Sequence, residues 1–313
     1  MRKPGTPPLV TVFGGGGFIG RYVCEALMKA GARLRVAERY PRKAWYLQPL
    51  GSVGQVSAIA ADLARPETFA RAVEGVDAVI NLVGVFKGNL ELIHVHGAGK
   101  LAAATKAAGA QAFVHVSAIG ADRASESEYG RTKGLGEEAV CAAFPKATII
   151  RPSTVFGPED EFTNRFASMA GFGFLPVIAP KTKFQPVFVR DLGRAIAAAA
   201  LDPRSHGGKT YELAGPEVLT MRELNAEVAG MAGKDPELVD MPDFMASALA
   251  SLGFLPGAPL TRDQWLMLQK DNVASGKQPG FKAFGIVPAP MSAAAPEWLS
   301  RYRKGGRFAP HAA

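Results

Sequence analysis

Cysteine is nearly absent: Cys24 and Cys141 are all that 313 residues contain. They fall in separate expected helices, so no disulfide framework holds this chain and a reducing compartment is expected. No apolar run approaches the length needed to span a bilayer. The stretch before the first strand is too short to hold a signal peptide, so none is expected. No cysteine or acid stands at ligand spacing from His94 or His96, so no metal site is expected and both histidines read as helix-surface residues. Acids are in deficit, 28 against 36 lysines and arginines, for a formal net charge of +8. Such a balance suits phosphates, an acidic partner, an anionic membrane surface or nucleic acid. The last is set aside, because no basic stripe interleaved with aromatics and no nucleic-acid module occurs.

Glycine, in contrast, is concentrated where it carries information. Leu9-Val10-Thr11-Val12-Phe13 is a short apolar strand that stops at Gly14-Gly15-Gly16-Gly17, and Ile19, Val23 and Leu27 then recur at helical spacing. Strand, tight turn and helix open a dinucleotide-binding βαβ unit. Gly14, Gly17 and Gly20 stand three apart. The first allows the sharp turn, the second lets backbone approach a pyrophosphate, and the third lets the helix pack closely on the sheet. Phe18 and Ile19 open the helix, whose unpaired N–H groups suit phosphate.

The chain then alternates strands and helices. Arg33–Ala37 reads as a second strand followed by Glu38, Arg39, Arg42 and Lys43. An acid there suits the ribose hydroxyls of NAD and an arginine the extra phosphate of NADP; both are present, and the cluster of cations favours NADP(H), with NAD(H) as the alternative. Val56–Leu63 reads as a third strand with Asp62 and Leu63 at its end, and Val76–Gly84 as a fourth, nearly continuous in apolar residues as a two-face-buried parallel strand must be. Asn81, Val83 and Gly84 lie at that strand's C-terminal edge, where open α/β sheets bind ligands. Phe113–Ala118 reads as a fifth strand, containing Ser117. Tyr129 and Lys133 follow, four apart and so on one helical face, where an ammonium would lower the phenol's pKa and make it a usable general acid.

With Pro152-Ser153-x-x-Phe156-Gly157 added, this pattern resembles the extended and atypical short-chain dehydrogenase/reductase superfamily. Further stretches, Pro152–Phe162, Asn164–Met169, Gln185–Leu192 and Leu260–Gln264, resemble one branch of it: the NADPH-binding accessory subunits of respiratory complex I, of the alpha-subcomplex-9 type, and their bacterial relatives. The resemblance implies a doubly wound parallel (Rossmann) α/β sheet with a small C-terminal lobe. Residues 1–155 with 184–215 would form the NAD(P)-binding domain, and 156–183 with 216–313 the lobe. Gly14, Gly17, Phe18, Ile19, Gly20, Arg39, Asp62, Leu63, Asn81, Val83, Gly84, Ser117, Tyr129, Lys133, Pro152 and Ser153 would bind the nucleotide. Tyr129, Lys133 and Ser117 would be the catalytic set. That set is incomplete, because Ala118 stands where active members carry a second serine, and a methyl group donates no hydrogen bond.

The expectation is therefore an NADP(H)-holding protein of structural or assembly role at the membrane-arm interface of complex I, or in quinone metabolism, with weak or no hydride transfer. It would be cytoplasmic and peripherally bound to the respiratory membrane, with complex I subunits or the membrane surface as partner. The alternative is an oxidoreductase or epimerase acting on a sugar-nucleotide, sterol-like or quinone-like substrate. The apolar run Pro242–Leu255 reads either as lobe core or as a docking face. The basic tail Trp298–Arg307 reads as a solvated or partner-bound extension.

Overall fold

The computed structural model describes residues 6–253 and 260–306. Two compact units emerge: one holds the chain to Pro152 together with Val189–Leu213 and Gly276–Ile286, the other Ser153–Phe188, Ala214–Ser275 and the chain from Val287.

The first unit is built on β1 (Leu9–Phe13), α1 (Phe18–Lys29), β2 (Arg33–Glu38), β3 (Val56–Ala60), α2 (Phe69–Val73) and β4 (Ala78–Asn81). It continues through α3 (Ala98–Ala107), β5 (Ala112–Val116), α4 (Glu128–Ala143), β6 (Thr148–Pro152), α5 (Val189–Leu201) and β7 (Thr210–Leu213). The seven strands form one sheet in the order β7-β6-β5-β4-β1-β2-β3. Every pairing in it is parallel. The order reverses between β1 and β4, and the crevice outside the C-terminal strand ends at such a switch point is where these sheets take ligands. The doubly wound sheet expected from the sequence is present. β3 and β4 are shorter than the apolar runs suggest, ending at Ala60 and Asn81, so Asp62 and Gly84 lie in the loops beyond them.

β1, β4 and β5 are buried throughout. Their side chains pack against α2 and α3 in a cluster that includes Phe13, Phe69, Val79, Leu101 and Phe113. Phe13 and Phe69 meet edge to face at 5.8 Å. Each such ring contributes about 1.5–3 kcal/mol through burial. Between β4 and α3, Leu92–Gly97 forms a π-helical turn, a rare geometry that often marks a working part of a protein. His94 lies in this turn and is buried, while His96 is exposed. The surface placement expected for His94 is therefore corrected, and its burial is explained by the hydrogen bonds described below.

The second unit is smaller in its elements. Phe174–Val177 pairs in parallel with Glu237–Asp240, and Val155–Phe156 with Val187–Phe188. Helix Met221–Met231 starts on Thr220 and helix Arg262–Leu268 on Thr261, each with a reciprocal capping box, to Glu223 and Gln264. Trp298 is buried and its ring lies parallel to Phe188 at 6.0 Å, with Phe156 at 6.2 Å. The solvated tail expected from Trp298 onward is thus corrected, because Trp298 and Leu299 belong to this unit's core. Helix Asp243–Ser251 buries only the small Ala246 and Ala250 and turns Phe244, 75% exposed, and Met245 outward. Phe254, Leu255 and Arg307 lie outside the described residues.

Candidate nucleotide and catalytic site

The glycine turn after β1 has the geometry its sequence calls for. Gly14 adopts φ +77°, and its carbonyl accepts the Gly17 N–H at 3.1 Å, closing the turn. A Cβ on Gly20 would stand 2.3 Å from that carbonyl oxygen and 2.6 Å from Gly15 Cα, so the third glycine is a close-approach position. Helix α1 begins at Phe18 with no side chain capping it and no acid in its first turn. The orphan N–H groups and positive end of the helix dipole that this leaves at Phe18, Ile19 and Gly20 fit a diphosphate.

At the end of β2, Glu38 and Arg39 part company. Glu38 is half-buried and accepts the Gly16 N–H at 2.7 Å, bracing the turn. Arg39 is exposed and makes no hydrogen bond, ion pair or ring contact among the described residues. Beyond β3, Asp62 Oδ1 accepts the Ala64 N–H at 3.0 Å, and Leu63 is buried. At the end of β4, buried Asn81 accepts the Val83 N–H on Oδ1 at 3.1 Å and donates from Nδ2 to His115 Nδ1 at 3.2 Å. Around Gly84 there is open space.

The other half of the candidate site hangs on β5 and α4. Ser127 caps α4, accepting the Gly130 N–H at 3.1 Å, and this sets Tyr129 and Lys133 one turn apart. Lys133 is buried and donates from Nζ to the Val116 carbonyl at 2.7 Å. Burial pulls its pKa down to about 8, opposed by the nearby Glu137 carboxylate. That carboxylate is itself clamped by Arg151, at 2.9 Å and 2.6 Å. Tyr129 is half-buried, and burial pushes its phenol up to about 12. The lowering of the phenol expected from the lysine four residues on is therefore outweighed by desolvation. Ser117 is only 4% exposed and its Oγ has no hydrogen-bond partner among the described residues. Ala118, half-buried, follows it with no donor. Ser117 N–H reaches the Ile150 carbonyl at 2.7 Å and Ile119 N–H the Pro152 carbonyl at 2.9 Å, pinning this exit to β6.

Three residues to which the sequence assigned no part in the site shape it. His94 Nε2 accepts the Val85 N–H at 3.0 Å, so Nδ1 carries the proton and donates to Thr132 Oγ1 at 2.9 Å. The threonine donates onward to the Glu128 carbonyl at 2.8 Å. Burial, with Lys133 second, drives the His94 pKa down to about 3, which keeps this relay neutral. His115 is held well below the usual histidine range by burial, then by Lys133 and His94, and its Nε2 has no partner among the described residues. Phe86, 60% exposed, stacks on the Tyr129 ring at 4.6 Å, and the His94 ring meets the same phenol edge-on at 5.5 Å. A histidine two positions before the strand-exit serine was a readable signal for His115; nothing local marks Phe86.

Ser153, expected beside the nucleotide, belongs to the second unit. There its Oγ donates to Asn272, at 2.8 Å to Oδ1 and 3.0 Å to the carbonyl, and Thr154 N–H reaches the same Oδ1 at 2.8 Å.

A parallel sheet of this order, entered through a glycine turn onto an uncapped helix, defines a Rossmann dinucleotide-binding protein. The chain belongs to the NAD dependent epimerase/dehydratase family, whose model matches residues 10–214. It is 36% identical over 319 residues to the mitochondrial NADH dehydrogenase [ubiquinone] 1 alpha subcomplex subunit 9 of Arabidopsis thaliana, covering 95% of this chain and 79% of the relative. To the ceramide reductase of Caulobacter vibrioides it is 30% identical, covering 75% of this chain and 74% of the relative. The NADPH-dependent quinone oxidoreductase of Escherichia coli, solved with NADPH, superposes with a TM-score of 0.72 at 22% identity, over 93% of this chain and 99% of the other. The kinship to the complex I accessory branch, expected from the motifs, is thus shown. No described helix is long and apolar enough to cross a membrane.

Proposed function

We propose that this protein is an NADP(H)-holding counterpart of the complex I accessory subunit, with a structural or assembly role at the membrane arm and weak or no hydride transfer. The decisive feature is Ala118. The glycine turn at β1 and the uncapped helix behind it support a bound dinucleotide, while the exit of β5 offers a methyl group where a substrate oxygen would need a donor. Ser117 Oγ lies one residue away, unpartnered and buried. In this reading the helix α1 N-terminus holds the diphosphate, Arg39 the 2′-phosphate, Asp62 and Leu63 flank the adenine, and Asn81, Val83 and Gly84 line the path to the nicotinamide. Lys133 and Tyr129 hold the nicotinamide ribose, and Ser117 and Pro152 complete the set. A bound nicotinamide supplies hydride chemistry; what the chain's own residues supply is binding, orientation and exclusion of water.

The outward Phe244 and Met245 support docking of the second unit on a protein partner, and the mitochondrial complex I relatives support a peripheral place at a respiratory membrane. Favouring NADP(H), Glu38 is engaged with Gly16 while Arg39 is uncommitted. Titration of NADPH and NADH into wild type and Arg39→Ala tests this. We expect the substitution to weaken NADPH about ten- to a hundredfold, the range of a lost charge-assisted phosphate contact of roughly 1.5–3 kcal/mol, and to leave NADH unchanged. Equal affinities in both proteins would return the ribose to Glu38 and NAD.

A second reading, a working reductase, is favoured by one arrangement: Phe86 stacked on Tyr129 gives the phenol an apolar surround, suited to a quinone- or lipid-like carbonyl. Turnover abolished by Tyr129→Phe would promote it.

A further inference from the structure

Between β2 and β3 the chain runs through Pro41–Leu50 as ten residues of 3-10 helix, far longer than the single turns this geometry usually provides. Side chains three apart eclipse in a 3-10 helix, so this segment has three rows. One row is the anchor: Ala44 and Leu47 are buried. The other two rows face out, and each pairs a cation with an aromatic ring, Arg42 with Trp45 and Lys43 with Tyr46. The Arg42 guanidinium lies over the Trp45 ring at 5.5 Å, the Lys43 ammonium over Tyr40 at 5.8 Å, and the Arg21 guanidinium over Tyr46 at 5.6 Å. Tyr40 is 65% exposed and Trp45 54%, and Leu50 and Val53 extend the exposed apolar surface. From Arg39 to Ala61 the chain contains no acid.

A segment anchored by only two buried residues, with large amphipathic rings outward and unopposed cations among them, is costly to leave in water unless something covers it. Indole and phenol rings with lysine and arginine between them are the side chains that settle at the headgroup level of a bilayer, rings among glycerol and carbonyl groups, cations on phosphates. We infer that Tyr40, Arg42, Lys43, Trp45 and Tyr46 form a docking surface for an anionic phospholipid bilayer. This takes the membrane-peripheral location proposed above as its setting and names the surface that makes the contact. Charge complementarity selects the occupant: the outward face of helix Asp243–Ser251 carries Phe244, Met245 and the acid Asp243 but no lysine or arginine, which suits a protein, whereas the 3-10 segment suits phosphates.

The full-length protein is tested by flotation with vesicles of phosphatidylcholine mixed with phosphatidylglycerol, and with vesicles of phosphatidylcholine alone. Wild type should float with the anionic vesicles and be released by salt, with a blue shift of tryptophan emission that Trp45→Ser removes. The Arg42→Ser/Lys43→Ser double variant should partition about tenfold less or weaker still, two surface cations having been lost. All these side chains are exposed, so melting temperatures should match wild type. Saturating NADPH should leave wild-type flotation intact. Flotation lost on adding NADPH would mean that these cations read the nucleotide instead, and would overturn the inference. So would a double variant that floats like wild type, or equal binding to neutral vesicles. Native-gel co-migration with solubilised complex I keeps the two ideas apart. Flotation without co-migration removes the complex I partnership and leaves the lipid surface. Co-migration without flotation does the reverse.

Discussion

The turn after β1 and the exit of β5 lie at the same edge of one sheet, yet they are finished to different degrees. At the turn, four consecutive glycines, Gly14–Gly17, leave the backbone bare, the helix behind it is uncapped, and the neighbouring carboxylate of Glu38 is engaged in bracing the backbone. At the exit, the lysine is in place and the tyrosine beside it, but the phenol is driven up to about 12 by burial, one hydroxyl has no partner and the next position is a methyl group. Binding a dinucleotide needs oriented donors and space; hydride transfer needs in addition a donor aimed at the developing oxyanion. The contrast is what separates the proposed holding role from that of a working reductase: donors and space at the turn, and no donor at position 118.

The largest effect should come from Gly20→Val. Its Cβ would meet Gly14 O and Gly15 backbone well inside contact distance, and neither can move without opening the turn. We expect a loss of about 3 kcal/mol in stability, seen as a melting temperature lowered by several degrees, and nucleotide binding weakened beyond detection in calorimetry. A variant that still binds would show that the turn is not where the diphosphate sits.

Lys133→Met should act more moderately, weakening nucleotide about tenfold by removing the ribose contact. The same variant reads the buried charge. In the folded protein Lys133 titrates near 8 instead of the usual 10.5, so between those values the unfolded chain still binds the proton that the folded one has released. Stability of nucleotide-free wild type relative to the variant should therefore rise with pH from about 8 to 10.5, by on the order of 3 kcal/mol. Denaturant titrations of both proteins across that window check the sign; a flat difference would mean that Lys133 is solvated.

Tyr129→Phe should have the smallest effect. With Ala118 adjacent, loss of the phenol is expected to leave the biological role and the melting temperature near wild type, because the ring keeps its stack on Phe86. Complementation of a deletion strain by this variant, alongside Lys133→Met, sharpens the contrast between holding a nucleotide and using it.

What was legible in the chain follows the range of the forces involved. The glycine turn, the parallel strands and the start of α4 are written in residues within a few positions of one another, so the strand–turn–helix at Gly14–Gly20 and the one-face pairing of Tyr129 with Lys133 on α4 could be read from the chain. His94 was misread because its burial depends on Val85 and on Thr132, 38 residues away along the chain. Trp298 was misread because its basic neighbours suggest a tail, while the rings that bury it belong to positions 156 and 188. Phe86 could not be placed at all: a loop aromatic acquires meaning only from the ring it covers.

The segment Gly276–Ile286 has a consequence for how this protein is made. The family-wide stretch ends at residue 214, with β7 as the sheet's last strand. Yet the outer side of that strand is met by residues more than 60 positions later: Glu212 N–H donates to the Pro279 carbonyl at 3.1 Å. Phe284 stacks on His206 at 4.5 Å and lies against Tyr211 at 4.7 Å. A nascent chain emerging from the ribosome thus completes its whole parallel sheet while one margin is still open for strand pairing with a neighbour. That margin is sealed only after the intervening lobe has been synthesised, which makes the interval between the two a natural point of chaperone dependence and a poor place to truncate the gene.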